Sequence, residues 1–125
     1  MFELDFYTLD DGSKPVEVFL DSLDDKIRAK AVQELSLLEE QGNQLREPYS
    51  KHIEGGIFEL RIKRSSNIAH VFYFFYVGRR IIATHGFVKK TQKTPCAEIE
   101  RALRYKGDFV KRESAGNDRQ VMKDE

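Results

Sequence analysis

Runs of apolar residues divide the first third of the chain into one strand and two helices. Residues 2–8, FELDFYT, alternate between apolar and polar positions, which predicts a β-strand. Apolar residues then recur at helical spacing, first over residues 16–23 and again over residues 27–38. Gly42 follows the second group and is placed to end that helix. The pattern therefore predicts a strand followed by a helical hairpin.

The middle of the chain has the patterning of β-strands. IFELRIKR (57–64) alternates, and IAHVFYFFYV (68–77) is almost continuously apolar, as expected for a central strand that is covered on both faces. IIATHGFV (81–88) is the next strand, and the short turns between these segments predict an antiparallel meander. A further strand is predicted near Lys51–Ile53. Thr94 and Pro95 open a last helix.

Together these elements predict an α+β fold with an N-terminal strand, a helical hairpin, an antiparallel meander of three to four strands and a C-terminal helix. The helices are expected against one face of the sheet. Residues 1–110 are predicted to form a single domain. Residues 111–125 are charged and offer little to bury, so they are predicted to be a flexible tail.

Composition narrows the class of protein. The 125 residues are 40% hydrophobic and contain no apolar run of membrane-spanning length, and the acidic start lacks the positive region of a signal peptide. Cys96 is the only cysteine, which favours a reducing cytoplasm. The histidines and this cysteine do not have metal-ligand spacing, so neither a metal site nor a cofactor is predicted.

The formal net charge of zero conceals a strong segregation of charge. Residues 1–59 hold six cations against fourteen acids, whereas residues 60–97 hold eight cations and no acid. Residues 98–125 hold seven of each. A basic segment without acids is typical of a polyanion-binding site. The alternative interpretation is a solvated face of the sheet.

Arg61 and His70 are candidate site residues within this basic segment. Strand alternation puts Arg61 on one face with Glu59 and Lys63, where a guanidinium could hold a phosphate or simply form a salt bridge. His70 begins the aromatic strand and could act as a general acid or base, or be a structural residue. His85 is interpreted as structural.

A cationic cleft can support one reaction without further catalytic motifs. Paired carboxylates, a Ser-His-Asp order, a glycine-rich phosphate loop and zinc spacing are all absent from the sequence. In RNA cleavage by the neighbouring 2′-hydroxyl, the RNA supplies its own nucleophile. The protein needs only to position the phosphate, stabilise its charge and assist proton transfer.

Three motifs give the sequence a family resemblance. They are GGIFELR at residues 55–61, VFYFF at residues 71–75, and HGFVKKTQKTP at residues 85–95 followed by an EIxxA pattern. With these motifs the chain resembles the phage-derived, HigB-like branch of the RelE/ParE toxin superfamily. The resemblance is dense from Gly55 to Leu103. It implies a RelE-like fold and the toxin of a type II toxin–antitoxin system.

The resemblance also implies an activity and partners. Such toxins are ribosome-dependent, metal-independent mRNA endonucleases that inhibit translation in the cytoplasm. They are neutralised by a helix-turn-helix antitoxin, through which the pair contacts operator DNA. Relatives in the ParE branch inhibit gyrase instead. The alternative expectation is therefore a non-cleaving binding protein that keeps the toxin fold.

The motifs supply Arg61, Lys89, Lys90 and Lys93 as site residues, and the other candidates lie in the same basic segment. The predicted catalytic residues are Arg61, His70, Lys89 and Lys90. Lys63, Arg64 and Lys93 are predicted to bind RNA. His70 stands where the family usually has arginine, so it either preserves a role at the phosphate or marks an inactive toxin.

Overall fold

The protein folds into a five-stranded sheet with three α-helices. The computed structural model describes residues 1–89 and 94–124, with side chains as far as residue 116. The elements in chain order are β1 (Glu3–Phe6), α1 (Pro15–Asp21), α2 (Asp25–Gln41), a 3-10 turn (Gly42–Gln44), β2 (Ser50–Glu54), β3 (Ile57–Arg64), β4 (Asn67–Tyr76), β5 (Arg80–Val88) and α3 (Cys96–Asp124).

The sheet has the strand order β1-β5-β4-β3-β2. Strands β2 to β5 form an antiparallel meander, and β1 adds to it by pairing parallel with β5. The predicted α+β class, N-terminal strand, four-stranded meander and C-terminal helix are thus confirmed. The additional strand predicted near Lys51–Ile53 is β2.

The helices cover both faces of the sheet, so the expectation of helices against one face was wrong. Helices α1 and α2 pack on the first face, where buried residues of the sheet include Leu60, Val71 and Ile81. Helix α3 packs on the second face, over Phe72 and Phe74. Because neighbouring positions of β4 are apolar on both faces, burying them requires a helical layer on each side.

Gly42 ends helix α2 as predicted. Its backbone φ of 54° lies in the left-handed region, where glycine carries no steric penalty. A Cβ atom at this position would also lie 2.1 Å from the ring of Phe2. Gly42 therefore ends helix α2 and also leaves room for the ring of Phe2 to pack against it.

Helix α3 continues past residue 110, where the sequence analysis placed the end of the domain. Arg112 lies 2.8 Å from Asp10 and 2.7 Å from Asp108, and Glu113 lies 3.1 Å from Arg80. The pair with Asp108 lies within α3, whereas the pairs with Asp10 and Arg80 connect the helix to the loop after β1 and to the start of β5. In the described part of the chain, no helix is long and apolar enough to cross a membrane.

Candidate functional site

The face of the sheet that α3 covers is buried and apolar at the start of β3 and exposed and cationic at its end. Ile57 is fully buried in the core beneath α3, whereas Arg61 and Lys63, on the same side of the strand, are exposed. Arg61 is paired in register with His70 of β4, and His70 is paired with Phe87 of β5. Candidate residues from three strands therefore meet at the end of this face.

Glu59 lies at the centre of this group and is 5% exposed. Its Oε1 atom is 2.8 Å from Nδ1 of His70 and 3.8 Å from Nζ of Lys89. Its Oε2 atom accepts a hydrogen bond from the Thr94 hydroxyl at 3.2 Å. A single carboxylate thus connects β3, β4, the end of β5 and the residues that lead into α3.

The environment of Glu59 favours its charged form. Burial alone would raise the pKa of this carboxyl group, because the charged form loses hydration. The contacts with His70, Lys89 and Thr94 outweigh burial, so the pKa of Glu59 lies below its usual value. Removing one partner of a buried charged pair is costly because the other charge remains without compensation. Glu59 is therefore an internal counter-anion of the cationic site.

His70 is held inside the sheet face rather than on its surface. Its side chain is 2% exposed, and its ring stacks on Phe87 with centroids 5.3 Å apart and planes 19° from parallel. One ring edge faces Glu59. Among the described residues, no group forms a hydrogen bond with the opposite nitrogen, Nε2. In this conformation His70 contacts Glu59 directly, and neither ring nitrogen is accessible to a ligand.

Of the catalytic candidates that the structure describes, Arg61 and Lys89 are the two that solvent can reach. The side chain of Lys89 is 19% exposed and keeps its contact with Glu59. Arg61 is exposed, and no carboxylate of the described residues lies within ion-pair distance of it. The salt-bridge interpretation of Arg61 therefore finds no partner among residues 1–89 and 94–116. Its guanidinium remains available for an anionic ligand.

The predicted RNA-binding residues divide between two places. Lys63 is exposed two residues beyond Arg61 on the same side of β3. Arg64 is the next residue, lies on the opposite side of the strand, and lines a groove with Lys26 and Lys30 of α2. Lys90 and Lys93 lie outside the described residues.

His85 is buried on the same face but has different surroundings. Its Nδ1 atom lies 3.2 Å from the Thr84 hydroxyl. Burial and the nearby guanidiniums of Arg101 and Arg104 lower the pKa of His85 to about 4. The ring is therefore neutral near pH 7, consistent with the structural role that the sequence suggested.

Metal-ligating side chains are not grouped in the described part of the chain. No set of three or more His, Cys, Asp or Glu residues is placed there to hold a metal ion. Cys96 is exposed at the start of α3.

Sequence reasoning missed the central position of Glu59. The residue was recognised only as a neighbour of Arg61 on one side of β3. The available signal was its position within the GGIFELR motif, at a strand position that proved to face β4 and β5. Thr94 was predicted to cap the last helix, but that helix begins at Cys96 and the Thr94 hydroxyl bonds to Glu59 instead.

Comparison with known proteins supplies one match. The family model described as "Phage derived protein Gp49-like (DUF891)" matches residues 18–106, which include the end of α1, all of α2, strands β2 to β5, and the first part of α3. No curated protein matches the sequence. The matched span contains Glu59, Arg61, His70 and Lys89.

Proposed function

The chain belongs to the Gp49-like family of phage-derived proteins, and on that premise we propose that it is the toxin of a type II toxin–antitoxin system. This family lies within the wider group of RelE/HigB-like toxins. The proposed activity is ribosome-dependent cleavage of mRNA without a catalytic metal, which blocks translation. The observation that carries the proposal is the exposed Arg61 at the same end of the sheet as Lys89, which contacts Glu59 at 3.8 Å.

In the proposed reaction the RNA cleaves itself under the influence of the site. The 2′-hydroxyl loses its proton to water as its oxygen attacks the adjacent phosphorus, and the bond from phosphorus to the 5′-oxygen breaks. The leaving 5′-oxygen takes up a proton from water, so the products carry a 2′,3′-cyclic phosphate and a 5′-hydroxyl. Negative charge on the phosphoryl oxygens grows in the transition state. Fixed cations that meet this charge typically accelerate such steps by about 10²–10³-fold each.

We assign stabilisation of the phosphoryl charge to Arg61 and Lys89. Arg61 can bind two phosphate oxygens through its planar guanidinium. Lys89 is oriented by its contact with Glu59 at 3.8 Å. We assign Lys90 to stabilisation of the same phosphoryl charge and Lys93 to RNA binding, following the motif in which both residues occur.

His70 receives a positioning role in this proposal. A ring that is 2% exposed does not reach a substrate, whereas its contact with Glu59 fixes the carboxylate that also holds Lys89. His70 therefore positions Glu59, Glu59 positions Lys89, and Lys89 stabilises the charge on the phosphate.

The proposed partners follow from this activity. They are the ribosome with its mRNA, and a helix-turn-helix antitoxin that neutralises the toxin and connects it to operator DNA. The proposed location is the cytoplasm, where translating ribosomes are found.

A second candidate function is a non-cleaving protein that keeps the toxin fold and works through binding alone. One observation favours it: Glu59 places a negative charge within the cationic site and partly neutralises Lys89, whose Nζ atom lies 3.8 Å from its Oε1 atom. A weaker positive potential lowers affinity for a phosphate. This candidate predicts binding to an antitoxin, or to gyrase, without cuts in RNA.

Expression in bacteria separates the two candidates. The gene is induced with and without its neighbouring gene, and the 5′ ends of cellular mRNA are mapped. New ends inside translated messages, lost in Arg61→Ala, are expected for the nuclease. Growth arrest with intact messages would instead favour gyrase or another bound target, and the absence of any arrest would favour a protein that only binds.

A further inference from the structure

A second cationic groove lies on the other side of β3, between α2 and the β3–β4 hairpin. Lys26 and Lys30 line it from the helix, and Lys63 and Arg64 line it from the end of the strand. Ser65, whose φ of 54° turns the chain after Arg64, also lines the groove. Four cations from two separate elements therefore border one concave surface.

Carboxylates do little to neutralise these cations. Within the described residues none of those that line the groove is acidic, and only Lys30 has an ion-pair partner, Glu34, at 3.2 Å. A smaller depression beside the groove is lined by Asp24 and Asp25 together with Lys26 and Arg64, so these acids border the cationic surface at the start of α2 without forming an ion pair with either cation. Like charges held close together destabilise a fold unless an anion binds between them.

The groove continues from the candidate site at Arg61. Lys63 is exposed on the same side of β3 as Arg61 and follows it by two residues, a separation of about 7 Å along a strand. Lys63 also lines the groove, so exposed cations follow one another from Arg61 around the end of β3 to Lys26. A flexible anionic chain can contact both places at once.

We propose that this groove binds the sugar–phosphate backbone of RNA beyond the segment held at Arg61 and Lys89. The inference rests on the proposed function, because it extends the substrate of the same site. Of the described residues, none that lines the groove is aromatic, so these residues offer cations for phosphates but no platform on which a base could stack. Binding there is accordingly independent of base sequence and sensitive to salt.

The test compares short and long RNA in the variant Lys26→Ala/Arg64→Ala. These two side chains are exposed and, among the described residues, have no ion-pair partner, so their removal leaves the fold intact. The probes are mixed-sequence 2′-O-methyl oligonucleotides of about 6 and about 20 nucleotides, a range that spans common single-strand site sizes. The 2′-O-methyl group prevents cleavage, so affinity is measured alone.

The expected result depends on RNA length. The variant should bind the long probe about tenfold more weakly, and the slope of log K against log salt should become shallower by about 1.4, because two phosphate contacts are lost. The short probe should bind as it does to the original chain. Lys26→Arg/Arg64→Lys should restore the affinity, and Lys14→Ala/Lys111→Ala, which removes two cations elsewhere, should leave both probes unaffected.

Three results would overturn the inference. They are an unchanged affinity for the long probe, an equal loss for both probes, or normal RNA binding together with lost affinity for an acidic partner protein. Failure of the proposed function gives a different result. An original chain that binds both probes but never cuts RNA on ribosomes refutes the nuclease and leaves the groove in place, whereas failure to bind the long probe refutes the groove and leaves the ribosome-dependent cleavage to the mapping of mRNA ends.

Discussion

Two histidines on the same face of the sheet show how the charged end of that face differs from the part that α3 covers. His70 and His85 are each 2% exposed and lie in neighbouring rows of the sheet. His70 faces the Glu59 carboxylate at 2.8 Å. His85 lies beside Arg101 and Arg104, which together with burial lower its pKa to about 4.

The comparison shows that the charge of the neighbours, and not burial, distinguishes the two places. A carboxylate also approaches His85, since Glu98 lies 3.7 Å from its Nε2 atom, but Arg101 contacts the same oxygen at 3.6 Å. The surroundings of His85 therefore favour a neutral ring. At the other end, Glu59 retains its charge and organises the cations around it.

The largest expected effect belongs to the charged end. Arg61→Ala removes the exposed guanidinium, so the rate of mRNA cleavage should fall by about 10²–10³-fold, or about 3–4 kcal/mol of transition-state stabilisation. Stability should change by less than about 0.5 kcal/mol because the side chain is exposed. Cleavage rates and thermal unfolding of the purified protein provide the two measurements.

Arg46→Ala is the matched control for this substitution. Arg46 is an exposed arginine before β2 and lies outside the candidate site. Its removal should leave the cleavage rate unchanged. Equal rates for Arg61→Ala and the original chain would remove Arg61 from the proposed mechanism.

The next effect concerns His85 and the dependence of stability on pH. The pKa of His85 is lower in the folded chain, at about 4, than its ordinary value of 6.5, so the unfolded chain binds the proton more readily between those values. The stabilising contribution is therefore complete above pH 6.5 and is lost as the pH falls towards 4. The loss should reach about 3 kcal/mol.

Chemical unfolding at a series of pH values measures this contribution. His85→Gln should flatten the dependence between pH 6.5 and 4, whereas His52→Gln, at an exposed histidine, should not. The remaining loss of stability at lower pH should come partly from Glu59, whose lowered pKa makes its contribution disappear below its usual value of 4.5. The same slope in His85→Gln as in the original chain would contradict the assignment.

Glu59→Gln tests the internal counter-anion directly. The substitution keeps the shape and an acceptor for the Thr94 hydroxyl but removes the charge that faces His70 and Lys89. Stability should fall by about 1–3 kcal/mol. The cleavage rate should fall about tenfold while RNA binding is retained or strengthened, because Lys89 is less well positioned but one negative charge is gone.

Glu54→Gln makes the same chemical change at an exposed position in β2 and should alter neither property. A purely structural role for Glu59 would lower stability without changing the rate at temperatures where the variant remains folded. That result would separate Glu59 from the site.

Substitution of His70 is expected to have the smallest effect on the cleavage rate, because another side chain at this position can also contact Glu59. His70→Gln replaces the ring that contacts Glu59 and should reduce cleavage severalfold, by about 1 kcal/mol of barrier. His70→Arg offers a permanent cation to the same carboxylate and should recover most of the cleavage rate. Cleavage and RNA affinity that are indistinguishable among the three proteins would exclude His70 from the mechanism.

The sequence predicted most of the fold because the two periodicities were clear. The alternation in β3 correctly put Arg61 with Glu59 and Lys63 on one side, and the length of the apolar run in β4 indicated burial on both faces. The sequence did not reveal that α3 covers the second face of the sheet, because the apolar face of a helix does not specify which side of a sheet the helix covers.

The site was only partly predictable from the sequence, because its contacts depend on how distant segments of the chain pack together. Motif positions identified Arg61, His70 and Lys89, but their contacts depend on the register of three strands. The contact of Glu59 with Thr94 joins residues 35 positions apart in the chain. The separation of Arg64 from Arg61 reflects the pleat of β3, which sends neighbouring side chains to opposite faces.

The most direct test uses a translated mRNA with one altered nucleotide. Cut positions are first mapped on ribosomes in the presence of the purified protein, and the nucleotide that supplies the 2′-hydroxyl at one position is then replaced by its 2′-deoxy form. Cleavage through the 2′-hydroxyl should give 5′-hydroxyl ends in the unaltered message and loss of that cut alone in the altered one. Equal cutting of both messages would contradict cleavage through the 2′-hydroxyl and the nuclease function proposed from it.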